Sequence, residues 1–123
     1  GNPTRTALEL CIASLEDGKY GLAFASGCAA TTNVMSLLKA GDHLVASDDL
    51  YGGTYRLFQR VLSNFGLTFT FVDMTNKSAV YESIKENTKM VWIETPTNPL
   101  LKLCDIEMIA EISKEKAYPI QKI

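Results

Sequence analysis

The chain has 123 residues, enough for one domain of ordinary size, and its 46% apolar and 21% charged content is typical of a folded globular protein. A formal net charge of −2 predicts no basic surface, so nucleic acid and anionic membranes are poor candidate partners. No stretch approaches the ~20 apolar residues that span a bilayer, and the N-terminus lacks the pattern of a signal peptide. The three cysteines form no CxxC pair, which favours a reducing, cytoplasmic setting over disulfides or a metal site.

Helical and extended patterns alternate along the chain. The first helix has Asn2 as its N-cap, Pro3 in its first position, and Leu8, Ile12 and Leu15 at helical spacing. The predicted helices cover residues 2–18, 27–41, 54–66, 77–87 and 105–116. The predicted strands are "YGLAFAS", "HLVASDD", "LTFTFVD" and "KMVWIETP".

This alternation predicts an α/β fold with a mostly parallel sheet and helices on both faces. The pattern falters in "KEKAYPIQKI", where "AYPI" stands at the place of a further strand but Pro119 cannot donate to a strand ladder. A parallel sheet that stopped there would leave an uncovered edge. We therefore expect residues 1–123 to form a single domain that is part of a larger one.

Polar clusters follow the predicted strands, at the edge where ligands bind in α/β sheets. They are Ser26-Gly27-Cys28, the run from Asp48 to Gly53, Asp73, and the run from Glu94 to Pro99. In the first cluster, the amides of Gly27 and Cys28 at a helix N-terminus are predicted to share an anion position. The turn alone favours a simpler explanation, in which Ser26 only caps the helix. Cys28 is a weak nucleophile candidate because no base is near it in the sequence.

Two further clusters suit a planar ligand. Tyr51 precedes two glycines, which would let the loop turn sharply and place the tyrosine ring flat over a ligand at the ends of the strands. A single tyrosine after a strand is, however, more often a surface or core residue. Glu94 and Asn98 stand on either side of Pro96, and Pro99 follows Asn98, so the turn is stiff and the Asn98 amide can reach an oxygen substituent of a ring. A purely structural connection between strand and loop explains that turn equally well.

Arg56 and His43 are two further polar residues that could bind a ligand. Arg56 is predicted either to contact the ligand or to form an ion pair with Asp48, Asp49 or Glu94. His43 has no cysteine or carboxylate at metal-ligand spacing, so we expect a solvated side chain.

Together the clusters predict an anion site, an aromatic surface and a polar turn at one edge of the sheet. That combination suits a phosphorylated planar cofactor, and the G-x-G-x-x-G fingerprint of dinucleotide binding is absent.

The chain resembles the pyridoxal-phosphate-dependent enzymes of cysteine and methionine metabolism. The resemblance runs from Gly1 to about Lys114 and rests on "GNPTR", "AFASGCAAT", "LLKAGDHLV", "DDLYGGTYRLF", "FGLTFTFVD" and "VWIETPTNP" with "DIE". It implies part of the large domain of the aspartate-aminotransferase-like (type I) fold, with residues 1–123 incomplete at both ends. It also implies the cofactor pyridoxal 5'-phosphate and a homo-oligomer, usually a tetramer.

The resemblance also assigns roles to residues. It implies that the amides of Gly27 and Cys28, beside Ser26, bind the cofactor phosphate. Cys28 stands where relatives usually carry methionine or leucine, which should matter little for a backbone contact.

On the ring side, the resemblance implies that Tyr51 stacks on the cofactor and helps in proton transfer. Asn98 would lie near the 3'-oxygen, and Glu94 with Arg56 would form a supporting pair.

The implied activity is a carbon–sulfur lyase reaction of transsulfuration, in which cystathionine gives cysteine, 2-oxobutanoate and ammonia. The family's partner-reaching Tyr-x-Arg, its ring-nitrogen aspartate and its Schiff-base lysine do not occur in this chain, and Lys39, Lys89 and Lys102 do not match the lysine motif. We expect the chain alone to be inactive. Methionine gamma-lyase, cystathionine beta-lyase, cystathionine gamma-synthase and a non-catalytic subunit-interaction module remain open alternatives.

Overall fold

A computed structural model describes residues 1–116 of the chain. They divide into two compact units, Gly1–Met35 and the part from Ser36 onwards. The first unit contains α1 (Pro3–Leu15) and α2 (Gly27–Met35). The second contains β1 (His43–Ser47), α3 (Gly52–Arg56), β2 (Thr68–Val72), α4 (Lys77–Ser83), β3 (Thr88–Trp92) and α5 (Ile106–Lys116). None of the helices within residues 1–116 has the length and apolar content needed to cross a bilayer.

The start of α1 is as predicted. The Asn2 side chain accepts hydrogen bonds from two amides of the first turn, at 3.1 and 3.3 Å, and Pro3 occupies the first helical position. The predicted apolar stripe of Leu8, Ile12 and Leu15 is 54%, 48% and 72% exposed, however. The apolar spacing therefore predicted the helix correctly, but the apolar face of α1 is not buried by other parts of residues 1–116.

The predicted strand at residues 20–26 is wrong for this structure, because that segment has no regular secondary structure. Its Ala23 N–H donates to the Glu9 carboxylate of α1 (2.8 Å), which also accepts from Arg5 Nε (2.9 Å). The Ala23 amide, followed by Arg5, lowers the pKa of Glu9. Gly21 lies so close to the Glu9 backbone that any Cβ there would overlap the Glu9 carbonyl oxygen. The segment is thus held on a helix instead of pairing with a strand.

The sheet has three strands in the order β2-β1-β3, and both pairings are parallel. Val45 in the central strand lies beside Thr70 on one side and Val91 on the other. All five residues of β1 are buried, as expected for a strand covered on both faces. The predicted parallel sheet is confirmed.

An aromatic cluster covers one face of the sheet. Phe58 stacks on Phe69 with ring centroids 5.0 Å apart and meets Trp92 edge-on at 5.9 Å, and Tyr55 packs on Phe71 at 5.0 Å. Tyr55 and Phe58 belong to one continuous helical segment, in which α3 passes into a π-helical turn and then a 3₁₀ turn. Since Phe58 is fully buried, this segment is anchored to the sheet at its middle.

The opposite face carries the aliphatic core, which α4 and α5 cover. Its buried members are Val45, Met74, Val80, Cys104, Ile109 and Ile112. Helices therefore lie on both faces of the sheet, as the alternating pattern predicts.

Two predicted helices are too long. α2 ends at Met35, well before Gly41, and α4 ends at Ser83. Gly41 has a φ of 92° and its N–H donates to the carbonyl of Gly66 (2.8 Å), so the chain turns there instead of continuing a helix. The helical segment after β1 ends at Gly66, as predicted. Gly66 has a φ of 86°, which is typical of a glycine after the last turn of a helix. The uncertain "AYPI" segment lies outside the described residues.

His43 is buried, with 1% of its surface exposed, so the expectation of a solvated side chain is wrong. Its ring joins the two outer strands, with Nδ1 2.7 Å from Thr88 Oγ1 and Nε2 2.8 Å from Thr70 Oγ1. Burial, and secondarily the charge of Lys85, lowers the pKa of His43. A polar residue in a central strand is tolerated here because both ring nitrogens have partners.

We predict that His43 makes the chain less stable in mild acid. Its folded-state pKa lies below the unfolded value of about 6.5, so the unfolded chain takes up the proton first as the pH falls. Stability should be constant above about pH 6.5 and then fall with a slope of at most about 1.4 kcal/mol per pH unit. Urea titrations followed by the fluorescence of Trp92, the only tryptophan, would measure this.

The control is His43→Gln, which keeps hydrogen-bonding groups but does not titrate. Because His43 is the only histidine, the slope between pH 7 and pH 5.5 should flatten in this variant. An unchanged slope would show that other groups cause the acid sensitivity.

Candidate functional site

The turn before α2 is both a helix cap and a candidate anion site. The Ser26 hydroxyl accepts the Ala29 N–H and its carbonyl accepts the Ala30 N–H, each at 3.1 Å, so Ser26 caps the helix. The amides of Gly27 and Cys28 have no acceptor within residues 1–116. A Cβ built on Gly27 would meet no atom of that part of the chain within 4 Å. Two amides without acceptors at a helix N-terminus, beside an open Gly27, fit a phosphate group.

In the second unit, the loops that follow β1 and β3 meet. The Tyr51 N–H donates to Glu94 Oε2 (3.2 Å), and the Glu94 N–H donates to Ser47 Oγ (3.4 Å). The Tyr51 side chain is 53% exposed, so its ring is available to a ligand. The structure thus brings Tyr51 and Glu94 together, as expected for the ends of neighbouring parallel strands.

Arg56 forms no ion pair with Asp48, Asp49 or Glu94 in the described part of the chain. Its guanidinium lies over Gly52 instead, where an added Cβ would be 3.3 Å from Nη1. Within residues 1–116 the predicted ion pair of Arg56 with Glu94 is therefore not formed, and Glu94 accepts the Tyr51 N–H. That both residues contact a cofactor stays a prediction.

Asn98 lies on an exposed turn after β3, in which the Thr95-Pro96 and Asn98-Pro99 peptide bonds are cis. Its side-chain amide has no hydrogen-bond partner among residues 1–116. The preceding residue, Thr97, is only 2% exposed and donates its hydroxyl to the Asp49 carboxylate (2.6 Å). The Asn98 side-chain amide is therefore free to bind a ligand, while the turn that carries it is attached to Asp49 through Thr97.

Lys102 is a site residue that the sequence did not identify. Its Nζ lies 3.1 Å from Asp48 and 3.3 Å from Asp73, so it links the carboxyl ends of β1 and β2. The hydrogen bond to Asp48 raises the pKa of Lys102, and the backbone N–H of Thr75 lowers the pKa of Asp73. The two aspartates were recognisable from their positions after strands, but their partner comes from a loop without periodicity.

Cys104 lies beneath the same edge. Its thiol donates to the Glu94 carbonyl (3.4 Å), and burial raises the pKa of Cys104. Within residues 1–116, no three histidine, cysteine or acidic side chains are placed to share a metal ion.

The fold of the chain matches that of solved structures. In a search of solved structures, a cystathionine gamma-lyase from Lactobacillus plantarum, in complex with L-serine, matches with a TM-score of 0.91 and 52% identity. That match covers 94% of this chain and 30% of the other. The metB protein of Corynebacterium glutamicum also matches with a TM-score of 0.91, at 49% identity and with the same coverage. The chain thus has the fold of part of the large domain of such enzymes.

Sequence comparison identifies the family. Residues 1–121 match the profile of the Cys/Met metabolism PLP-dependent enzymes, and the chain belongs to this family. A probable cystathionine gamma-synthase of Herpetosiphon aurantiacus is 57% identical over 93% of this chain and 36% of its own length. A cystathionine beta-lyase of Coxiella burnetii is 54% identical (94% and 30%), and a cystathionine gamma-lyase of Bacillus subtilis is 53% identical (93% and 30%). The chain therefore spans about a third of the length of these curated relatives. Pyridoxal phosphate is the family's cofactor.

We predict that the three free cysteines differ in reactivity. Cys11 is exposed and Cys28 is half-buried, whereas Cys104 is buried and has a raised pKa. Alkylation of the native chain with iodoacetamide at pH 8 should therefore modify Cys104 at least about tenfold more slowly than Cys11. Peptide mass spectrometry would measure the rates, and equal rates in urea would serve as the control. Rapid native labelling of Cys104 would contradict the packing described for the Glu94 strand end.

Proposed function

We propose that this chain supplies the phosphate-binding and ring-binding residues of the cofactor site in a carbon–sulfur lyase. The observation that carries the proposal is that the Gly27 and Cys28 amides at the start of α2 have no acceptor within residues 1–116, beside a glycine whose Cβ position is open. Backbone N–H groups at a helix N-terminus bind phosphate through hydrogen bonds and the helix dipole. Membership of a pyridoxal-phosphate-dependent family supports this choice of anion.

Each proposed residue has a task that its chemistry suits. Pyridoxal phosphate, when bound, supplies the electron sink for reactions at the amino acid's α carbon. Tyr51 would stack on the ring, and the bond from its amide to Glu94 would hold the loop that carries it. Its hydroxyl would also help move a proton. Asn98 would donate its amide to the ring's 3'-oxygen. Since the Cys28 contact is through the backbone, its thiol has no proposed role.

For the reaction, we propose cleavage of cystathionine at the bond between sulfur and the γ carbon, which gives cysteine, 2-oxobutanoate and ammonia. The relatives' names favour this activity together with two neighbouring ones, the beta-lyase and the gamma-synthase. All three act on, or form, the same thioether amino acid, so the substrate class is common to them.

The phosphate site can be tested by removing one amide without removing the helix. Proline is favoured at the first helical position, which Gly27 occupies, and it has no N–H. Gly27→Pro should therefore weaken binding of pyridoxine 5'-phosphate about tenfold or more, the effect of a hydrogen bond to a charged group worth roughly 1.5 to 3 kcal/mol. Pyridoxine 5'-phosphate has no aldehyde, so it cannot react with lysines, and isothermal titration calorimetry would measure its affinity.

Two variants control for side effects. Ile106→Pro makes the same change at the first position of α5 and should leave the affinity unchanged. Cys28→Ala should also leave it unchanged, because the amide remains. Equal affinity of the Gly27→Pro variant and the unaltered chain would refute the phosphate site.

The reaction can be tested by its products. In a family enzyme of full length that includes residues 1–123, γ-cleavage of cystathionine would release cysteine and 2-oxobutanoate, whereas β-cleavage would release homocysteine and pyruvate. Mass spectrometry distinguishes the two keto acids, and we expect 2-oxobutanoate to predominate. Predominance of pyruvate would identify a beta-lyase, and net formation of cystathionine would identify a gamma-synthase.

A further inference from the structure

We infer that Thr97 and Asp49 are positioning residues that hold the Asn98 amide toward the cofactor's 3'-oxygen. The inference rests on the cofactor site proposed above and adds the part of the chain that fixes its geometry. Neither residue needs to touch the cofactor, because both act through the turn that carries Asn98.

The Thr97 hydroxyl is fully used within the protein. It donates to Asp49 Oδ2 (2.6 Å) and accepts the backbone N–H of Lys102 (2.8 Å). The Thr97 N–H donates to the Lys102 carbonyl (2.9 Å), and the Thr97 carbonyl accepts the Leu101 N–H (3.1 Å). The last three of these hydrogen bonds close the turn between residues 97 and 102, and the bond to Asp49 links the turn to the end of β1.

Asp49 anchors the closed turn to the sheet. It is the second residue after β1, is 8% exposed, and its Oδ2 accepts both the Thr97 hydroxyl and the Leu100 N–H (2.8 Å). The Lys102 ammonium adds a second anchor through Asp48 and Asp73. The base of the turn is thus tied to the ends of both β1 and β2.

Asn98 is the exception in this network. It is exposed, and its side-chain amide has no partner in residues 1–116, although the residue before it is buried and the second residue after it is bonded to Asp49. Because the backbone on both sides of Asn98 is held by hydrogen bonds, binding a ligand orders only the Asn98 side chain and costs little backbone entropy. This arrangement is what a donor to one ring oxygen requires.

The test compares two ligands, pyridoxine 5'-phosphate and its analogue without the 3-hydroxyl group. The unaltered chain should bind the first about tenfold more tightly, the usual effect of a hydrogen bond to a charged oxygen. Asn98→Ala should abolish this preference. Thr97→Val, which keeps the shape but removes the hydroxyl, should reduce it to about twofold or less, and Thr97→Ser should restore it. In the Asn98→Ala background, Thr97→Val should change the preference no further.

Thr88→Val is the matched control. Thr88 is also buried, and its hydroxyl also has two partners, His43 and the Lys85 amide, but it lies at the opposite end of β3. The substitution should cost similar stability and leave the ligand preference unchanged. Without any ligand, hydrogen exchange of the Leu100 and Lys102 amides should accelerate in Thr97→Val and stay unchanged in Thr88→Val.

The outcomes separate this inference from the proposed function. A preference that depends on Asn98 but survives Thr97→Val would overturn the positioning role and leave the cofactor site intact. Loss of preference in Thr88→Val as well would also overturn it, since general destabilisation would then be the cause. Failure of the unaltered chain to bind either ligand would overturn the proposed cofactor site and this inference with it.

Discussion

Parallel pairing of three strands is the constraint on which the second unit depends. It places the carboxyl ends of β1, β2 and β3 at one edge, so residues far apart in sequence meet there. Asp48 and Asp73 come from different strand ends, and Lys102 can form ion pairs with both because the strands run in the same direction. Glu94 reaches the Tyr51 amide for the same reason. An antiparallel sheet with the same composition would send these groups to opposite edges.

Burial of that sheet on both faces makes the edge rigid. The aromatic rings around Phe58 cover one face and the aliphatic core around Val45 covers the other. The central strand therefore has no solvent-facing side, and even its polar residue, His43, is fully bonded. Loops that leave such strands begin from fixed points, which favours precise placement of the few polar groups that they carry.

Much of this could be predicted from the sequence, where the determining forces are local. Periodicity and capping specified α1 and the three paired strands, and two amides after Ser26 were recognisable from the Ser-Gly step. Motif resemblance identified the family that the comparisons establish. Residues 20–26 were misjudged because apolar content alone does not say whether a backbone pairs with a strand or with a side chain such as Glu9.

Contacts between distant residues could not be predicted. The burial of His43 depends on threonines 27 and 45 positions away. The link between Asp49 and Thr97 spans 48 positions, and the Lys102 bridge spans 54. The sequence also does not show that Glu94 accepts the Tyr51 N–H and does not pair with Arg56, because the same residues are compatible with either contact.

The hydroxyl of Thr97 has an evolutionary consequence. It donates a hydrogen bond to a carboxylate and accepts one from a backbone N–H, in a residue that is only 2% exposed. Among side chains of this size, only serine can do the same. A change at position 49 would leave the hydroxyl without its acceptor, and a change at position 97 would leave a buried carboxylate with one donor fewer. Positions 49 and 97 are therefore expected to covary among homologues. The Asn98 side chain forms no hydrogen bond with either residue, so we expect position 98 to vary only with the ligand.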